Sequence, residues 1–167
     1  VRIHLYDSSS KLLTGSDGKI KPDMLDKMEF FIAELEKNGI YIFMDLNDGL
    51  MFNERLGRPG EDNGKLKYPS IYNAELKKVT KSLASELFTH VNPYTGKAMV
   101  DDPAIAMYEI INECSMLSNW EAPLEKKIAE PYLSELKALW TAWLKKNKIE
   151  ERALPPHFNI DPVSRRF

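Results

Sequence analysis

The stretch "IAMYEIINECSM", residues 105 to 116, is largely apolar until it closes on Asn112-Glu113. An amide and a carboxylate at the end of a strand have two uses. They can cap the segment that follows, a common role for Asn and acidic residues. Alternatively, the acid can protonate a departing oxygen while the amide hydrogen-bonds a hydroxyl of the same molecule. Hydrolysis of a glycosidic bond needs such an acid, with a second carboxylate opposite it.

Other polar residues fall at comparable positions. Arg2 and His4 alternate with Val1, Ile3 and Leu5 in "VRIHLYD", and Asp45 and Asn47 close "GIYIFMDLN" at residues 39–47. Asp45 and Asn47 suit either loop capping or contact with sugar hydroxyls. His4 reads as a substrate contact or a satisfied inward histidine. Trp120, in the loop beyond Glu113, offers either a stacking platform for the C–H face of a sugar or an anchor for its own loop. An inward arginine needs a partner, because an unpaired buried charge is strongly unfavourable. Glu109 is the partner expected for Arg2, either as a structural pair or alongside a role for Arg2 in tuning nearby carboxylates.

The remaining reactive side chains read as structural. His4, His90 and His157 are too scattered to form a metal motif, so no metal site is expected. Cys114 has no paired base nearby in sequence and reads as a small buried residue. Trp140 and Trp143 fall on helical periodicity and read as packing residues.

Three strand-helix units must position these groups. A first strand covers 1–6, and Pro22 then opens a helix carrying Met24, Leu25, Met28, Phe31, Ile32 and Leu35 at helical spacing. Lys37-Asn38-Gly39 supplies a cation and a glycine stop. The second strand, 39–47, is followed by a long Gly-, Asn- and Pro-bearing loop over 48–70. A helix through Leu76, Val79, Leu83, Leu87 and Val91 comes next, and "NPYTG", 92–96, is a turn. The third strand spans about 104–112, and a third helix runs from near Pro131 to Lys148 with Leu133, Leu136, Trp140, Trp143 and Leu144 on its buried side. A domain over 1–150 and an extended or poorly ordered tail over 151–167, bearing Pro155, Pro156 and Pro162, complete the expected organisation.

The 167 residues suffice for one domain, and 43% hydrophobic with 29% charged residues is a globular balance. A net charge of −2 gives no case for nucleic acid or an anionic membrane surface. No apolar run spans a bilayer and no signal peptide is visible, so neither a membrane partner nor a compartment is assigned; a secreted parent is compatible with this. The start at Val1, in mid-strand, suggests a piece of a longer protein.

Alternating strands and helices with short returns imply parallel strands. Central strands of an open doubly wound sheet are nearly continuous in apolar residues. Here polar residues share one face of the first two strands, which suits part of an eight-stranded barrel with its active site at the C-terminal rim. No glycine-rich phosphate loop follows a strand. The expected class is therefore α/β, a partial (β/α)8 TIM barrel.

Taken together, "VRIHLYD", "GIYIFMDLN", "NPYTGKAMVDDPAIAMYEIINE" and "LWTAWLKK" resemble the retaining (β/α)8 glycoside hydrolases of clan A, most of all its cellulase-like and β-mannanase-like members. The resemblance covers roughly residues 1–148. It implies that Glu113 is the general acid/base, that Asn112 contacts the substrate 2-hydroxyl and that Arg2 lies near the catalytic carboxylates. His4 matches a polar position at its strand's end. The three strands would be barrel strands two to four, in a fold of about 250 residues. The clan's nucleophile, a glutamate on strand seven, has no counterpart in 114–167. The implied substrate is a β-linked oligosaccharide or polysaccharide, with no cofactor. A non-catalytic carbohydrate-binding relative, and a half-barrel that self-associates through its open strand edges, are the other readings.

Overall fold

A computed structural model describes residues 1–4, 13–15, 17–46, 52–57, 66–112, 114 and 124–150. The chain divides into two compact units, Val1–Ser115 and Met116–Phe167.

The first unit is mixed α/β. Three parallel strands, β1 (Arg2–His4), β2 (Ile42–Asp45) and β3 (Ile105–Glu109), pair in the order β1-β2-β3. Helix α1 (Pro22–Lys37) lies between β1 and β2 in the chain. Between β2 and β3 come α2 (Phe52–Arg55), a 3-10 turn at Pro69–Ile71, α3 (Ala74–Phe88) and a second 3-10 turn at Met99–Asp101. Parallel strands require such crossovers, because a tight turn reverses chain direction.

Local chemistry explains the helix limits. Pro22 stands in the first turn of α1, where its missing N–H removes no helical bond. The helix closes at Asn38, whose N–H donates to Glu34 O, and Gly39 follows at φ +69°, a conformation open to a residue without Cβ. In α3 the Asn73 side chain accepts from Leu76 N at 3.0 Å and caps the first turn. Leu76, Val79, Leu83 and Leu87 are buried at the spacing the sequence predicts. Val91 is not on that helix. It pairs with Ala98 in an isolated antiparallel bridge and is exposed.

Ile42, Met44 and Leu46 alternate along β2 and are completely or almost completely buried. With Ile32 and Leu35 of α1, the α3 leucines and Ile105, they supply the unit's core. Phe31, expected on the buried side of α1, is exposed, while the neighbouring Glu29 is buried. Glu29 is held there by His90 Nδ1 at 2.6 Å and, through its backbone oxygen, by Asn92 Nδ2 at 2.9 Å. The polar partners at 90 and 92 thus rotate the buried stripe of α1 towards Glu29 and away from Phe31.

The second unit contains α4 (Leu124–Lys127) and α5 (Tyr132–Lys146). Leu133 and Leu144 are buried, as expected. Trp140 and Trp143 are not packing residues of the kind expected. They are 41% and 48% exposed, and their rings stack on each other at 5.2 Å with planes 13° apart. Residues three apart on a helix are neighbours, so the two rings cover one another rather than a core. Among the described residues no helix is long and apolar enough to cross a membrane. The tail expected over 151–167 lies outside the described residues.

Candidate functional site

The strand register sets the site. Arg2 lies opposite Phe43 and Phe43 opposite Met107; His4 lies opposite Asp45 and Asp45 opposite Glu109. The pairing slips by one residue between Ile42 and Phe43: Ile42 pairs with Ile105, but Phe43 pairs with Met107. Strict alternation from buried Ile105 would put Met107 and Glu109 on the core side. The slip moves both onto the face that carries Arg2, His4, Phe43 and Asp45. Such irregularities re-aim side chains, and here the result is a shared face whose last row, His4, Asp45 and Glu109, is polar and ends the three parallel strands.

Two couples occupy this row. Arg2 Nη2 donates to the Glu109 carboxylate and, at 2.6 Å, to Asn112 Oδ1. The guanidinium reaches from β1 across β2 to do so, with its central carbon 5.0 Å from the centre of the Phe43 ring. That ring supports the cation while Glu109 balances its charge. Asn112 is 5% exposed, so its amide is fixed within the fold. In the second couple, His4 Nδ1 lies 2.8 Å from Asp45 Oδ2. Asp45 is fully buried, whereas the His4 side chain keeps 29% of its surface.

Among the sequence-derived site residues, Arg2, His4 and Asn112 are described, and all three gather at these strand ends. Arg2 forms the ion pair with Glu109 that was expected of it. Glu113, Asn47 and Trp120 lie outside the described residues. Asp45 plays a part its sequence context only half suggested: rather than facing solvent as a cap or sugar contact, it is buried beneath His4. The available signal was parity, since Asp45 and His4 lie on the polar faces of neighbouring strands.

Other reactive groups stand apart from this row. Cys114 Sγ lies 3.4 Å from Lys67 O, and burial pushes its thiol above its usual pKa of 9.0 against a smaller opposing effect of Lys67. The thiol is therefore protonated at neutral pH and is no nucleophile. His90 is engaged with Glu29. Among the described residues no group of three or more His, Cys, Asp or Glu side chains could hold a metal. A groove of about 550 Å³ lies elsewhere, lined by Phe30, Glu34, Tyr94 and Lys97 among others. Its Lys97 is paired with Glu36, and none of the row residues lines it.

Comparison with known proteins bears on what such a row does. Over 135 residues, 78% of its length, the chain is 29% identical to the putative mannan endo-1,4-beta-mannosidase 9 of Oryza sativa subsp. japonica. Over 115 residues, 64% of its length, it is 28% identical to mannan endo-1,4-beta-mannosidase 4 of the same organism. The likeness supports a relationship to mannanase-like glycoside hydrolases. The matches cover 32% and 24% of those two proteins, so the chain spans a third or less of the curated relatives it matches. No family model matches the chain, and no solved structure matches it.

Proposed function

We propose that residues 1–150 form strands two to four, with their helices, of a (β/α)8 glycoside hydrolase of clan A that cleaves a β-linked glycan with retention. Glu113 is the general acid/base: it protonates the departing glycosidic oxygen and then activates water. Asn112 holds the sugar 2-hydroxyl, Arg2 positions Asn112 and the carboxylates, and His4, Asn47 and Trp120 contact the glycan. The nucleophile comes from a segment outside residues 1–167. No cofactor takes part, because two carboxylates suffice for this chemistry. An acid must hold its proton near neutral pH, and a second carboxylate close by raises the pKa of the first.

The observation that carries this reading is the bond from Arg2 to Asn112 across β2, because it fixes the residue directly before Glu113 at the strand ends of a parallel sheet. The likeness to two mannan endo-1,4-beta-mannosidases supports a β-linked glycan as the substrate class. The test is Glu113→Gln in the polypeptide that completes the barrel. Its kcat/KM on β-1,4-mannan, which reports the bond-breaking step, falls by roughly 10²–10⁴-fold, and by much less on an aryl glycoside whose leaving group needs no proton. Full activity on mannan, or equal loss on both substrates, overturns the assignment of Glu113. The 167-residue chain alone hydrolyses neither substrate, and turnover by it refutes the missing nucleophile.

A second reading has its own support. Tyr41 and Met107 are exposed on the row's face, with Val1 and Ile110 exposed beside the sheet. A half-barrel with such a surface self-associates through its open edges. Sedimentation of the 167-residue chain then shows a dimer, and a monomer at high concentration removes this reading.

A further inference from the structure

Arg2 has two acceptors, the Glu109 carboxylate and Asn112 Oδ1, and they differ in what else can reach them. Asn112 is almost wholly buried, whereas the Glu109 side chain keeps 27% of its surface even within the ion pair. Arg2 comes to Glu109 from the row beneath, that of Phe43 and Met107, while Glu109 stands opposite Asp45 in the last row of the three strands. The bond from Arg2 is made to Oε2, and among the described residues Arg2 is the one partner of this carboxylate. A carboxylate has about four acceptor positions, and one guanidinium N–H fills only one of them. Oε1 therefore meets no donor among the described residues, on a side chain that water reaches.

We infer that Glu109 is a substrate-binding residue: one hydroxyl of the glycan donates to Oε1, while Arg2 holds the carboxylate through Oε2. The guanidinium lies against Phe43 and is bonded to both Glu109 and Asn112. It thus fixes the carboxylate before a sugar arrives, and less side-chain freedom is lost on binding. An acceptor placed in this way discriminates, because a sugar lacking the matching hydroxyl leaves it without a partner in the complex. The inference rests on the proposed function for the presence of a glycan at the strand ends. It goes further in giving Glu109 a direct contact, so the two can fail separately.

The test is a set of NMR titrations of the 167-residue chain with β-1,4-mannobiose and with its monodeoxy analogues lacking a 2-, 3- or 6-hydroxyl. In the wild type one analogue binds roughly tenfold more weakly than mannobiose. Glu109→Gln gives its one oxygen to Arg2 and removes the charge, so it binds mannobiose more weakly and narrows the gap for that analogue alone. A variant that weakens every sugar alike, with all gaps kept, shows Glu109 acting only through the fold and overturns the inference while the carbohydrate reading stands. Should Glu109→Gln not fold, the carboxyl ¹³C resonance of Glu109 in the wild type decides. It moves as mannobiose is added, and a fixed resonance while the strand ends respond to the sugar overturns the contact. No binding of any of these sugars overturns the inference together with the carbohydrate reading.

Discussion

Replacing Arg2 by Met separates the charge of the row from its packing. Methionine keeps an apolar stem over Phe43 but deletes the ion pair to Glu109, the bond to Asn112 and the cation at 5.0 Å from the ring. The Arg2 and Glu109 side chains are 38% and 27% exposed, so solvent screens the pair and its worth is taken as about 0.5–1 kcal/mol. The bond to the nearly buried Asn112 amide adds about 1 kcal/mol, and the ring contact about 0.5 kcal/mol. The total is about 2 kcal/mol, which at an m-value of about 2 kcal/mol/M lowers the urea midpoint by about 1 M. Urea unfolding followed by circular dichroism measures it. A cycle with Glu109→Gln isolates a coupling of about 0.5–1 kcal/mol, and 0.5 M NaCl shrinks it. A midpoint within error of wild type, or a cycle with no coupling, refutes the row as a structural network.

Three further outcomes follow from the packing. Met44→Ala empties a fully buried position on the central strand and costs about 2–5 kcal/mol, read as a lower urea midpoint. Trp140→Ala costs under about 1 kcal/mol, because the ring is exposed and stacks on Trp143; a loss of core magnitude contradicts the exposure of that face. Burial raises the pKa of both the Cys114 thiol and the Tyr108 phenol in the folded state. The unfolded chain therefore releases these protons first, so stability is held below about pH 9 and declines as pH rises through 9 and 10. Tyr108→Phe, which also removes the bond to Met99 O, flattens the upper part of that decline in a urea-midpoint profile.

Much of the frame was legible because each signal was local. Pro22 marks the start of α1, Gly39 its end, and the leucines at 76, 83 and 87 the buried stripe of α3. Alternation in the first two strands separated Arg2 and His4 from Ile42 and Met44 before any pairing was known. What stayed hidden depended on contacts distant in sequence. Glu109 was expected to face Arg2, but the slip at Ile42/Phe43, which sets it opposite Asp45, is a relation between two strands. Glu29 is buried because His90 and Asn92 reach it from beyond α3, and no period in α1 reports that. Helical spacing placed Trp140 and Trp143 on one stripe correctly but could not say whether anything covers it. For the site, residue type and strand end pointed to Arg2, His4 and Asn112. The burial of Asp45, which turns a surface acid into a support for His4, required the fold.

The carbohydrate reading is tested most directly by titrating the ¹⁵N-labelled 167-residue chain with a β-1,4-linked manno-oligosaccharide. With only part of a barrel present, binding is expected to be weak, with Kd near 1 mM, about 4 kcal/mol. Shifts should concentrate at Arg2, His4 and Asn112 and spare Phe30 and Tyr94 in the separate groove. No response at the strand ends at millimolar sugar, or a response confined to that groove, would contradict it.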